Sequence, residues 1–167
     1  DAEDRIVAHA ARTDGRVVAR EIVDLALLEA LANGTQLMPG QRDLVDAMAR
    51  SGHRVQLAIA PAGTGKTTAM RTLGAAWTES GGTVIGLAPS AAAAKALADQ
   101  LDVPCDTLTK LTWSLDHPDR PQPEWMAAIG PDSLVVIDEA GMADTLSLDR
   151  AINEIIGRGG SVRLIGD

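Results

Sequence analysis

Four short, almost wholly apolar runs govern what this chain can fold into: VQLAIA (55–60), TVIGLA (83–88), SLVVID (133–138) and SVRLIGD (161–167). Each is bounded by polar or turn-forming residues and followed, where the chain continues, by a stretch of helical character. Strands that are apolar on both sides must be covered on both faces, and strands alternating with helices build a parallel sheet. The expected fold is therefore α/β, a parallel sheet with helices on both faces. Right-handed crossovers then bring the carboxyl ends of all strands to one edge, where ligands bind in such sheets. Pro61, Pro89, Asp138 and Asp167 all fall at those ends.

The intervening segments read as helices. One runs from about Lys66 to Glu79, a second is SAAAAKALADQL with Ser90 as its cap, and a third is TLSLDRAINEIIGRG. Ahead of the first strand, PGQRDLVDAMARSGH carries Pro39 near its start and Gly52 near its end, as a helix should. DRIVAHAAR and REIVDLALLEALANG are expected to form a helical hairpin around TDGR, with Ile22, Leu25, Leu28 and Leu31 repeating at helical spacing. VPCDTLTKLTWSL is ambiguous, and DHPDRPQP is a proline-rich loop. At 167 residues the chain is one domain, divided as a helical appendage over 1–34 and a nucleotide-binding unit over 35–167.

Composition narrows the function classes. The net charge is −8, so any nucleic acid must be met in a local groove rather than by an overall positive field. Aromatic residues make up 2% of the chain, three Trp with no Phe or Tyr. Trp77, Trp113 and Trp125 are thus expected to anchor the core, with base stacking the alternative for Trp113. The single Cys105 excludes an internal disulfide and a cysteine-based zinc cluster. There is no apolar run of membrane-spanning length, and the acidic start DAEDRIVAHAAR is unlike a signal peptide. A cytoplasmic setting away from membranes is expected.

LAIAPAGTGKTTAM (57–70) is the stretch that carries chemistry. A loop of the form G-x-x-x-x-G-K-[ST] between a strand and a helix cradles phosphates. The loop Pro61, Ala62, Gly63, Thr64 and Gly65 wraps the phosphates; Gly63 and Gly65 sit where backbone N–H groups converge on phosphate oxygens, and glycine lets the backbone approach closely. Lys66 reaches the outer phosphates, Thr67 holds Mg²⁺, and Thr68 adds a hydroxyl. The helix beginning at Lys66 contributes its positive end. Ala60 stands where the pattern has glycine. It precedes Pro61, and a residue before proline is held extended, so no positive φ is required there. In LVVIDEAGM, Asp138 and Glu139 follow four apolar residues. Beside a phosphate loop, such a pair divides naturally into a Mg²⁺ partner, Asp138, and a water-orienting base, Glu139.

These motifs resemble those of the first motor domain of superfamily 1 helicases. The likeness is closest to the RecD type and to the helicase part of conjugative relaxases of the TraI/TraA type. APAGTGKTT is similar to motif I, GLAPSAAAAKAL to motif Ia, VIDEAGM to motif II and LIGD to the first half of motif III. TLTKL resembles the T-[IL]-x-[KR]-L element, and LMPGQRDLV the segment whose glutamine reads adenine. The likeness runs from about Leu37 to Asp167. It implies a P-loop NTPase fold of the RecA-like type, ATP with Mg²⁺, hydrolysis driven by Lys66 and Glu139, and Gln41 at the base. For single-stranded DNA it implies Ser90, Thr107 and Lys110. The family's motif III continues beyond Gly-Asp, and its second motor domain supplies arginine fingers. The chain is accordingly expected to be a piece of an ATP-driven single-strand translocase or helicase, poorly active alone. Other readings are a PhoH-like or clamp-loader-like ATPase, a small-molecule kinase, and a nucleotide-binding scaffold without motor activity.

Overall fold

The computed structural model describes residues 1–59 and 65–166. In chain order the elements are α1 (Ala2–Ala10), α2 (Arg20–Ala32), α3 (Pro39–Arg50), β1 (Val55–Ile59), α4 (Lys66–Glu79), β2 (Thr83–Ala88), α5 (Ala91–Leu101), β3 (Cys105–Thr107), α6 (Leu108–Asp116), α7 (Glu124–Ala127), β4 (Ser133–Ile137), α8 (Thr145–Gly157) and β5 (Ser161–Gly166). A short 3₁₀ turn, Ala140–Met142, lies between β4 and α8.

The described strands form one sheet in the order β1-β5-β4-β2-β3, and every pairing is parallel. The expected α/β architecture is what the chain adopts. The register aligns the carboxyl ends of the strands. Ile59 is opposite Gly166, Leu164 opposite Ile137, Ile137 opposite Leu87, and Ala88 opposite Thr107. The expected strands are present, joined by β3, a short edge strand that the CDT segment did not announce.

Alternation along the strands splits the interior into two cores. Val84, Leu134, Val136 and Ile165 face α2, α3, α4 and α5, where they meet Met48, Met70, Leu73 and Trp77. Ile85, Leu87, Val135, Ile137, Val162 and Leu164 face α6, α7 and α8, where they meet Leu111, Met126, Ile152 and Ile155. Successive strand residues point to opposite faces, so apolar residues at consecutive positions require helices on both.

Arg163 interrupts this pattern. It lies on β5 and is fully buried, yet among the described residues no carboxylate answers it. Its guanidinium donates to the carbonyl of Met48 from Nε at 3.1 Å and Nη2 at 2.8 Å, and to that of His53 from Nη1 at 2.8 Å. Met48 belongs to the last turn of α3, whose carbonyls have no partner within the helix and carry its negative end. The arginine thus ties the end of α3 to the sheet. Burial lowers its pKa to about 10, leaving it charged at neutral pH.

The N-terminal helices form as expected, but each docks on the sheet domain rather than on the other. α1 packs on α8 and β1, and α2 on α3 and α4. Ile6 and Ala10 of α1 pack against the second core, and a polar clasp fastens the helix beside them. Arg5 donates to both carboxylate oxygens of the buried Asp149, at 2.7 Å from Nη2, and His9 meets Asn153 at 2.6 Å. In α2 the buried residues are Val23 and Ala26. Of the repeat at helical spacing, Leu25, Leu28 and Leu31 are turned outward, 48%, 63% and 55% exposed. Ile22, Leu27 and Ala30 pack against the core beside Val23 and Ala26.

Candidate functional site

Residues Ala60, Pro61, Ala62, Gly63, Thr64 and Asp167 lie outside the described residues, so the loop is described from its last glycine onward. Gly65 caps α4 with φ +77° and ψ 22°, in the left-handed region that favours glycine. Its carbonyl accepts a hydrogen bond from Gln41 Nε2 at 3.0 Å. Gln41 Oε1 accepts from the backbone N–H of Met38 at 2.6 Å, closing the first turn of α3. A Cβ placed on Gly65 would stand 1.8 Å from Gln41 Nε2. Gly65 therefore needs to be glycine twice, for its backbone angle and for the side chain lying against it.

One small cleft gathers Lys66, Thr67 and Asp138, together with Met70, Leu97, Gln100, Leu101 and Ile165. Lys66 and Thr67 arrive on the first turn of α4, and Asp138 from the end of β4, one strand away across β5. Gln100, from α5, was not suggested by the sequence. Its Oε1 lies 3.5 Å from the Thr67 hydroxyl, and its backbone carbonyl accepts from Arg71 Nε at 2.6 Å. Only its placement at the last turn of α5 brings it here. Thr68 points elsewhere, into the cleft between α2 and α4 with Asn33, Thr35 and Arg71.

The carboxylate pair is held by its own backbone. Glu139 N–H donates to Asp138 Oδ1 at 2.8 Å, and the Glu139 carbonyl accepts from Met142 N–H at 2.9 Å. Glu139 has φ +52° and ψ 39°, a left-handed conformation that costs a side-chain-bearing residue about 1–2 kcal/mol. Among the described residues Asp102 is the other non-glycine with positive φ, and it ends α5, where such a conformation is ordinary. Glu139 has no such excuse. It holds a strained turn between a strand end and a 3₁₀ turn, and strain of this kind concentrates at functional sites. Asp138 is half-buried and Glu139 exposed.

The residues expected to meet DNA sit farther along the same edge, beyond β2 and β3. Ser90 caps α5, its hydroxyl oxygen accepting from Ala93 N–H at 3.1 Å. Thr107 caps α6 in the same way, accepting from Lys110 N–H at 3.0 Å. Lys110 Nζ lies 4.9 Å from the centroid of the Trp113 ring. Trp113 is no core anchor: it is 41% exposed, because the buried side of α6 is taken by Leu108, Leu111 and Ser114. Trp77 is fully buried and donates to the Asp132 carbonyl, while Trp125 is half-buried and donates to Asp106. Cys105 offers no nucleophile, since burial pushes its thiol up to about 11. Among the described residues no helix is long and apolar enough to cross a membrane.

Comparison with known proteins places this geometry in context. A family described as the AAA domain matches residues 36–167. A probable conjugal transfer protein TraA from Sinorhizobium fredii is 25% identical over 158 residues, covering 93% of this chain and 13% of its own length. The chain thus spans about an eighth of that relative. Two structures of UvsW from bacteriophage T4, one of them described as a helicase, share the fold. One has a TM-score of 0.62 at 17% identity, covering 93% of this chain and 62% of its own. The other has a TM-score of 0.64 at 16% identity, covering 93% and 36%. The TraA likeness expected from the motifs is met, and the fold is one shared with UvsW.

Proposed function

This chain belongs to the AAA-domain family, and on that premise we propose that it is the ATP-binding motor domain of an ATP-driven single-stranded-DNA translocase or helicase of the conjugative-relaxase or RecD-like kind. The observation that carries the reading is the convergence of Lys66, Thr67 and Asp138 on one cleft beside a left-handed glycine at a helix start. These residues fit a magnesium nucleotide by donor type: an ammonium for phosphate charge, with a hydroxyl and a carboxylate for a hard cation. Bound Mg·ATP supplies a phosphoanhydride whose outer phosphoryl group is open to attack by water.

The chain's own residues prepare that attack. Lys66 and the N–H groups of the first turn of α4 face the phosphates and favour added negative charge. Thr67 and Asp138, which line the same cleft, would hold the cation. Glu139 would orient the attacking water and take its proton. Gln41 grips the loop through the Gly65 carbonyl, and the adenine edge is assigned to the same residue. Ser90, Thr107 and Lys110 line the track for single-stranded DNA along β2 and β3. Residues 1–34 act as a packing accessory to a motor unit spanning 35–167, an assignment supported by the docking of α1 on α8 and of α2 on α4. A second motor domain elsewhere in the parent chain completes the machine.

The test is ATP turnover by a parent chain carrying both motor domains, with and without single-stranded DNA. Turnover that rises with DNA and is lost in Lys66→Ala supports the proposal. Turnover indifferent to DNA favours another ATPase of this fold, and the absence of turnover favours a scaffold.

A further inference from the structure

Trp113 is the one described tryptophan that the core does not use. Its ring lies nearly parallel to the imidazole of His117, with centroids 4.1 Å apart and an interplanar angle of 18°. His117 Nδ1 stands 2.7 Å from the Trp113 carbonyl, one turn back along the helix. A carbonyl only accepts, so Nδ1 carries the hydrogen and the imidazole is locked in place. Lys110, one turn toward the helix start, sets its ammonium against the indole. The helix that carries the stack begins at Thr107, which both ends β3 at the sheet's ligand edge and caps α6. Asp116, the acid nearest this stack in sequence, is neutralised by Arg150 at 2.8 Å.

We propose that Trp113, backed by His117 and flanked by Lys110, is a base-stacking ledge for single-stranded nucleic acid, a role that rests on reading the chain as a single-strand motor. An aromatic left exposed on a helix whose apolar side is already filled contributes little to folding. It does offer a preorganised π-surface. Magnitudes decide what takes it. An exposed cation–π contact is worth about 0.5–1 kcal/mol. A nucleic-acid base on an aromatic ring is worth about 1–3 kcal/mol. An incoming base therefore displaces the ammonium, and the flexible lysine moves to the adjoining backbone phosphate. Both partners gain. Duplex is excluded as the occupant, because its base faces are already stacked within the helix. The chain's charge of −8 makes such a local grip necessary, since no general positive field holds the strand.

The experiment titrates the 167-residue chain with an oligo-dT and with an abasic deoxyribose-phosphate oligomer of equal length, following tryptophan emission and anisotropy. The ledge predicts that oligo-dT binds more tightly than the abasic oligomer and quenches emission. Trp113→Ala should weaken oligo-dT by roughly 5- to 150-fold, leave the abasic oligomer unchanged, and keep the wild-type melting temperature. Trp113→Phe should recover part of the loss, which a merely structural role for the residue would not give. Equal affinity of the wild type for both oligomers, or no effect of Trp113→Ala while Lys110→Ala weakens both, overturns the ledge alone. Failure of the wild type to bind either oligomer overturns the ledge, while the single-strand reading stands or falls by the turnover of the parent chain.

Discussion

Replacing Gly65 by alanine should cost far more than one methyl group, and most of the excess should pass through Gln41. The backbone at φ +77° is left-handed, worth about 1–2 kcal/mol against an L-residue. The new Cβ would fall 1.8 Å from Gln41 Nε2, so the amide must swing away. It then loses its bonds to the Gly65 carbonyl and the Met38 N–H, about 0.5–1.5 kcal/mol each. The total for Gly65→Ala is about 2–5 kcal/mol by these two contributions. Gln41→Ala loses the same two bonds and should cost about 1–3 kcal/mol. Once Gln41 is truncated, however, nothing stands in the way of the Cβ. The double variant should then be no worse than Gly65→Ala alone, a coupling of about 1–3 kcal/mol in a double-mutant cycle. Urea unfolding of the four proteins measures it. Additive losses would refute the reasoning, because they would mean that Gln41 does not rest on Gly65.

Other consequences can be checked on the same preparations. Arg163→Met removes the donors that serve the Met48 and His53 carbonyls and should destabilise by about 2–4 kcal/mol, the relief of a buried charge offsetting only part of the loss; urea midpoints read it. The Arg5 bond holds the Asp149 carboxyl below its ordinary value of 3.8. A lowered folded pKa gives stability that is present above pH ~4 and lost as pH falls through the folded value, so Asp149→Asn should flatten the acid limb of the melting-temperature profile. Leu28→Ser, on the exposed face of α2, should change stability by no more than about 0.5 kcal/mol in thermal unfolding.

Much of this molecule was legible in its sequence, for identifiable reasons. Strands buried on both faces leave a continuous apolar signature, so four segments could be assigned and their carboxyl ends matched to one edge. Adjacency in the sheet then did the rest, bringing Asp138 to within one strand of β1. β3 was not legible, because three half-buried residues, CDT, bury too little to leave a pattern. Helical spacing of Ile22, Leu25, Leu28 and Leu31 marks α2 as a helix but does not say which side is buried, because apolar residues fall on both sides of it. Arg163 reads as an outward-facing strand residue unless the end of α3 is known to lie beneath it. Gln100 and the rotation of Thr68 away from Asp138 depend on how α4 and α5 dock, which no local pattern encodes. The left-handed Glu139 is strain imposed by the turn after β4, invisible in residue identity.

Whether Lys66, Thr67 and Asp138 hold one magnesium nucleotide is read by titrating the chain with a fluorescent ATP analogue, with Mg²⁺ and with EDTA. Saturable binding that weakens when Mg²⁺ is removed is expected. Lys66→Ala should lose at least tenfold, about 1.4 kcal/mol, and Asp138→Asn should lose affinity in the Mg²⁺ arm alone. Binding that is unchanged by Lys66→Ala and indifferent to Mg²⁺, in protein with an unaltered melting temperature, would contradict a shared nucleotide site.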